Sequence, residues 1–306
     1  MRRIYGLGET VLDIIFKKGQ PVAAKAGGSV LNAFVSLGRL GMIVHFISEY
    51  GTEPVGELID RFLNENNVST QYITRYKDGK STLALAFLDE KNNASYTFYK
   101  DYPQDRLTNL PGKFMQDDIL MFGSIYAITA AVRKQLLTVL QLARSAGALI
   151  LYDPNFRAAH LHELEALKPL IIENMQLADI IRGSDEDFMN IFGAAGSDEA
   201  YDAVHDYCPN LVYTANREGV FIHSDRGRYH FPIKTIKPVS TIGAGDNFNA
   251  GMVFSIIRQS IKAKDLPGLE YDQWQCIADS GIRLATHVCL SYDNYISREF
   301  AEEFVR

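Results

Sequence analysis

The chain has 306 residues, 47% of them hydrophobic and 22% charged, with a formal net charge of -6. This composition supports a large buried core and excludes a disordered or fibrous chain. The acidic balance argues against nucleic-acid binding, which draws on clustered Lys and Arg.

The elements alternate along the chain. Residues 4–7 read as a first apolar strand. Gly6 and Gly8 follow the spacing of a dinucleotide fingerprint, but Val11 stands where the third glycine belongs, so a nicotinamide site is rejected. Glu9 and Asp13 interrupt the N-terminal apolar run too early for a signal peptide, and no apolar stretch has membrane-spanning length. Asp13, at a strand end, is placed to accept vicinal sugar hydroxyls or to cap a turn. Gly27-Gly28 open a helix over 29–40, which Gly41 stops. Asn32 sits among Val30, Leu31, Ala33, Phe34 and Val35, where its amide needs a buried partner or a ligand hydroxyl.

A strand over 44–48 and a helix over 56–65 follow. Residues 81–88 and 95–100 are strand-like around a polar turn at 89–94, a β-hairpin that must cover a site or another subunit. Next come a strand at 119–122, a helix at 131–146 and a strand at 148–152. Asp153-Pro154-Asn155-Phe156-Arg157 ends that strand, placing Arg157 on the sheet edge. The strand at 180–182 leads into Ser184-Asp185-Glu186-Asp187, which reads as a Mg²⁺ site acting through water, a helix start, or both. A helix at 201–207 and a strand at 211–214 lead to the turn Thr214-Ala215-Asn216-Arg217-Glu218-Gly219. Strands separated by helices predict a mostly parallel, covered sheet that binds ligands beyond the strands' carboxyl ends.

Cys208, Cys276 and Cys289 are odd in number and lack metal-ligand spacing, so they read as free thiols of a reducing cytoplasm. The most informative stretch is Thr241-Ile242-Gly243-Ala244-Gly245-Asp246, followed by an apolar helical run. A glycine turn entering a helix aims backbone N–H groups and positive dipole potential at one point. Asp246 brings a carboxylate there, and an anion hole beside a base is what phosphoryl transfer to a hydroxyl requires. An ordinary tight turn with an aspartate cap is the structural alternative.

Taken together, Gly27-Gly28, Asn32, Gly41 and Gly243-Ala244-Gly245-Asp246 closely resemble the ribokinase-like sugar kinases, the phosphofructokinase B family. Asp153-Pro154-Asn155-Phe156-Arg157 is similar to its fructokinase-like branch. The resemblance implies a single domain over 1–306 with a three-layer α/β/α fold. Its central sheet is mostly parallel, and a small β lid comes from about 12–20 and 75–102. It implies Asp246 as general base, with the N–H groups of Gly243, Ala244 and Gly245 holding the transferring phosphoryl group. Asp13, Gly28, Asn32 and Arg157 would bind the sugar; Ser184, Thr214, Asn216 and Gly219 the nucleotide; and Asp187 the metal. ATP and Mg²⁺ are the implied cofactors. Ser240 stands where the family carries an aspartate that helps hold a monovalent cation, which leaves K⁺ activation open. Ser184 and Asp187 replace the family's Asn and Glu.

The implied reaction is ATP-dependent phosphorylation of a sugar, with fructose first and 2-keto-3-deoxygluconate, ribose or a nucleoside as alternatives. A phosphorylated acceptor would need Lys25, Lys100 and Arg106 to converge. A non-catalytic sugar sensor is the rival reading. The implied protein is a cytoplasmic homodimer joined through the lid face of Leu83, Leu85 and Phe87, with no nucleic-acid or membrane partner.

Overall fold

Unbroken apolar runs make strands buried on both faces, and 119–123 and 149–153 are buried at every position. The computed structural model describes residues 2–88 and 94–306. Of the polar turn expected at 89–94, all but Ala94 lies outside the described residues.

The chain runs β1 (Arg3–Leu7), β2 (Val11–Lys17), β3 (Gln20–Gly27), α1 (Ser29–Arg39), β4 (Ile43–Gly51), α2 (Pro54–Glu65) and β5 (Val68–Tyr76). It continues through β6 (Lys80–Leu88), β7 (Ala94–Asp101), β8 (Ile119–Gly123), α3 (Arg133–Ala146), β9 (Leu149–Asp153) and α4 (Leu164–Leu177). Then come β10 (Ile180–Ser184), α5 (Asp185–Phe192), α6 (Ser197–Val204), β11 (Leu211–Ala215), β12 (Gly219–Ser224) and β13 (Gly227–Phe231). The last helices are α7 (Ala244–Arg258), α8 (Tyr271–Cys289) and α9 (Arg298–Val305).

Nine strands form one sheet in the order β13-β12-β11-β10-β9-β8-β1-β4-β5. Pairing is parallel from β5 to β11 and antiparallel for β12 and β13. Successive side chains on a strand point to opposite faces, so each central strand feeds two cores. Ile4, Met121 and Leu151 pack with α1, α7 and α8, whereas Tyr5, Leu120 and Tyr152 pack with α3 to α6. Helices thus cover both faces, the three-layer arrangement expected. A second, four-stranded sheet has the order β3-β2-β6-β7.

The differences from expectation lie at edges. The second sheet includes β3, beyond the segment expected to end near residue 20, and β5, β12 and β13 were not anticipated. β3 and β13 are half-polar edge or near-edge strands whose pattern lacks a continuous apolar run. Helix α6 begins at Ser197 rather than Tyr201, because Asp198 and Glu199 suit a first turn.

Helix α7 reaches the sheet edge by lying close against α8. A Cβ on Gly251 would stand 2.3 Å from the Ser280 carbonyl oxygen, and one on Gly281 2.7 Å from the Phe248 ring. Overpacking here should cost about 1–3 kcal/mol. Gly251→Ala should therefore melt at lower temperature than the parent in thermal denaturation; an unchanged melting temperature would contradict this packing.

Candidate active site

The head of α7 is shaped by Gly243, which adopts a left-handed φ of 79° as the helix N-cap. A side chain there would press on Asn294, since a Cβ would lie 2.8 Å from its carbonyl oxygen. The first turn of a helix leaves N–H groups without intrahelical acceptors. Ala244 N–H turns back to the Thr241 carbonyl at 3.3 Å, and Asn247 N–H to that of Gly243 at 2.9 Å. The N–H groups of Gly245 and Asp246, in the same first turn, have no intrahelical acceptor.

Asp246 is fixed across the molecule. Helix α1 packs against α7, and Asn32 Nδ2 donates to Asp246 Oδ2 at 2.9 Å. Burial pushes the Asp246 carboxyl up to about 7; the Asn32 hydrogen bond opposes this, Asp153 adds to it, and Arg157 and Arg182 oppose it. Asn32 Oδ1 is buried with no protein partner, leaving an acceptor for a ligand hydroxyl.

The same side of α7 gathers two more of the sugar-binding candidates, Asp13 and Gly28, while Arg157 lines the cavity described below. Asp13 Oδ2 occupies the space a side chain on Gly27 would need, at 2.5 Å from a Cβ. Burial and then Glu9 raise the Asp13 carboxyl to about 6. Gly28, at φ 134°, starts α1 against the Glu9 carbonyl, and its own carbonyl accepts from Asn32 N–H at 2.9 Å. Register places Asp13 beside Ala84, and Ala84 beside Phe98, on one face of the second sheet. Asp13, Gly28, Asn32 and Asp246 therefore form a continuous series.

On the other side of the α7 head lies a cavity of about 460 Å³, a size suited to a small-molecule ligand. Ser184, Thr214, Asn216 and Gly219 all line it, as do Arg157, Ala244 and Gly245. Its far wall is apolar, built from Ile233, Ile236, Pro238, Ile282, Ala285 and Cys289. Arg157 is open to solvent, with Glu186 3.9 Å away.

The structure gives Asp187 an internal task. Its Oδ1 accepts from Phe156 N–H at 2.5 Å, and its Oδ2 from Ser184 N–H at 2.7 Å and Oγ at 2.6 Å. Both oxygens serve the loop and the α5 capping box, an internal role beside the metal role expected of Asp187. Asp185 and Glu186 line the cavity instead. Among the described residues no group of three or more His, Cys, Asp or Glu is placed to hold a metal ion. Of the three basic residues considered for a phosphorylated acceptor, two are committed elsewhere, while Lys100 lies over the Phe98 ring and its charge reaches Glu9. Lys25 Nζ meets Asp293 at 2.7 Å, and Arg106 forms a buried pair with Glu49 while stacking on Tyr102.

Sequence reasoning missed the buried network beneath the site. Arg182 Nη1 donates to Asp153 Oδ2 at 2.9 Å, and Nη2 to Thr214 Oγ1 at 2.8 Å. Asn249 Nδ2 donates to the same Asp153 oxygen at 2.6 Å. The signal was present: an arginine inside an apolar strand is rarely buried without a partner.

An anion can arrive from the cavity while a hydroxyl on the Asp13 side gives its proton to Asp246. That layout belongs to a kinase acting on small hydroxyl compounds. Residues 1–266 match the profile of the pfkB family carbohydrate kinases. The chain belongs to this family and is a sugar kinase. It is 25% identical to aminoimidazole riboside kinase of Salmonella typhimurium over 262 residues, 84% of this chain and 82% of that protein. It is 27% identical to fructokinase of Escherichia coli over 256 residues, 82% and 83% of the two chains. Among solved structures, a fructokinase double mutant from Vibrio cholerae O395, bound to fructose, ADP and a potassium ion, superposes with a TM-score of 0.86. That match has 20% identity and covers 100% of this chain and 99% of the other.

The raised Asp246 carboxyl has a consequence for stability. Its folded value of about 7 lies above its ordinary 3.8, so the native state holds the proton more tightly. Between those values stability falls as pH rises. Asp246→Asn removes this loss, so its melting temperature should exceed the parent's by more at about pH 8 than at about pH 5. A gap that does not widen with pH would contradict the burial of this carboxylate.

Proposed function

We propose that the chain transfers the γ-phosphoryl group of ATP to a primary hydroxyl of an unphosphorylated sugar, with fructose as the first acceptor. The observation that carries this reading is the seat of Asp246. It stands on the first turn of α7, held by Asn32, between the series ending at Asp13 and the cavity lined by Gly245. Fructose draws support from Asp153-Pro154-Asn155-Phe156-Arg157 and from the fructokinase relatives. The engagement of Lys25 and Arg106 elsewhere leaves Lys100 alone of the three basic residues near the sugar side, which supports an acceptor without a phosphate of its own.

In this reading the nucleotide base lies on the apolar wall and the phosphates run past Ser184 and Thr214 to the α7 head. The sugar is held by Asp13, Gly28, Asn32 and Arg157 under the second sheet, which serves as a lid. Asp246 takes the hydroxyl proton, and the helix head stabilises the charge on the moving phosphoryl group. Mg²⁺ accompanies the nucleotide and supplies further charge neutralisation; Asp185 and Glu186 would meet it through its waters. At the K⁺ position Ser240 carries no charge, and its Oγ already accepts from Ile242 N–H at 3.2 Å. On this reading K⁺ is not required, so turnover in Na⁺ should match turnover in K⁺.

We further propose that the protein is cytoplasmic, in keeping with its three free cysteines, and pairs with a second copy through the lid. Phe87, stacked on Phe16, is 44% exposed on the face shared with Leu83 and Leu85. Among the described residues no helix is long and apolar enough to cross a membrane.

The test is ADP release with Mg·ATP against fructose, ribose, 2-keto-3-deoxygluconate, adenosine, fructose 6-phosphate and no sugar. Fructose should give the highest kcat/KM, with an acid limb near pH 7 from Asp246. Asp246→Asn should lower turnover by about 10²–10⁴ while leaving sugar affinity intact. Near-parental turnover in that variant would remove Asp246 as the base, and sugar binding without any ADP release would favour a sensor.

A further inference from the structure

We propose that Arg182 is a catalytic residue, the fixed positive charge that contacts the transferring phosphoryl group beside the head of α7. This rests on the ATP-dependent transfer proposed above. In that transfer the acceptor oxygen bonds to the γ-phosphorus as its proton passes to Asp246. The bond from the γ-phosphorus to the β–γ bridging oxygen breaks, and its electron pair leaves with ADP. Arg182 neither gains nor loses a proton.

Its position points to this role. The guanidinium emerges from β10, and its side chain is only 8% exposed, yet it lines the cavity together with Gly245, Ser184 and Thr214. It lies flush against the helix head: a Cβ on Gly245 would stand 2.8 Å from Nη1 and 3.1 Å from Nη2. The missing side chain at Gly245 makes room for the arginine as well as for a phosphate.

Its donors are also not saturated. Its one carboxylate partner, Asp153, is shared: Asn249 donates to the same oxygen, and Asn155 N–H donates to the other at 3.0 Å. Arg182 Nε is buried with no protein partner. A guanidinium carries five N–H donors in a rigid fork, and one each from Nη1 and Nη2 is committed to protein, leaving donors for an oxyanion. The surrounding ionisable groups explain the need. Asp153 on β9 couples electrostatically to both Asp187 on α5 and Asp246 on α7, behind the cavity that Arg182 lines. Asp153 raises the proton affinity of the other two, and Arg182 lowers it in both. Without a cation, three carboxylates would repel the incoming phosphate.

A purely structural Arg182–Asp153 pair is the competing account, and it predicts a different pattern of loss. The experiment uses the full chain with Arg182→Met and Arg182→Lys, measuring kcat, sugar KM, and calorimetric binding of ADP and AMP-PCP. Arg182→Met should lower kcat by about 10²–10³, the scale of losing one oxyanion-stabilising group. Sugar KM should stay within about threefold, the preference for AMP-PCP over ADP should vanish, and added guanidinium ion should restore part of the turnover. A folded Met variant with kcat within about threefold of the parent overturns the proposal. Equal weakening of ADP and AMP-PCP also overturns it, because that marks a distorted cavity. If the Met variant does not fold, Arg182→Lys keeps a charge for Asp153 and carries the same comparison: kcat and the AMP-PCP preference fall together, or the proposal fails. If the parent protein releases no ADP with any acceptor, the functional reading fails, while the two-nucleotide binding comparison still judges Arg182.

Discussion

The site depends on one hydrogen bond between residues 214 positions apart, from Asn32 on α1 to Asp246 on α7. A carboxylate removed from water resists ionisation, and a donor aimed at it partly offsets that resistance. Asn32 supplies the donor, so Asp246 sits near neutrality instead of being locked as an acid. The bond also needs both helices to be exactly seated on the same face of the sheet. Gly251 and Gly281 contribute by letting α7 lie close to α8, which fixes where its first turn emerges. Backbone contacts far from the chemistry thereby govern the proton affinity of the proposed base.

The two sides of α7 solve opposite electrostatic problems. The side holding Asp13 and Glu9 is rich in acceptors, which suits a ligand offering several hydroxyl donors. The cavity side, in the proposed mechanism, admits phosphates although Asp153 and Asp187 lie behind it. Asp187 is neutralised locally by donors from Ser184 and Phe156, and Asp153 by Arg182, Asn249 and the turn at Asn155. Carboxylates here act as structural acceptors that order the loops, so an acidic run in a sequence need not mean a metal cage.

Much of this was legible in the sequence where local physics decides the outcome. Gly243-Ala244-Gly245-Asp246 announces a helix head with a carboxylate because a left-handed turn and first-turn donors are local properties. Asn32 was legible as a misfit among apolar neighbours, though its partner was not. The helix boundaries of α1 followed from Gly28 and Gly41, both at positive φ. The edge strands β3 and β13 were illegible because their half-polar patterns acquire order only from a neighbouring strand. Arg182 and Asp187 illustrate the deeper limit: a charged residue's role is set by which groups reach it in three dimensions. Asp187 resembled a metal ligand by motif, while one of its oxygens is claimed by Phe156, on a different strand's exit loop, and the other by Ser184. The sugar's identity is likewise a matter of hydroxyl directions, which one chain's residue order does not encode.

The placement of β1 in the middle of the large sheet has a consequence for synthesis. β1 pairs with β4 at Arg3 and Ile43, within reach of a short nascent chain, but its other edge waits for β8 at Ile119. Parallel pairings of this kind are non-local and slow to form, and domains acquire structure from the N-terminus as the ribosome releases them. Asp13, Gly28 and Asn32 belong to the early portion, whereas Gly243 to Asp246 come late. A chain still being translated can build the half of the site proposed to hold the acceptor, yet it lacks the helix head and the proposed base. On the proposed mechanism, unfinished molecules would be unable to spend ATP, a safeguard that follows from the order of these residues along the chain.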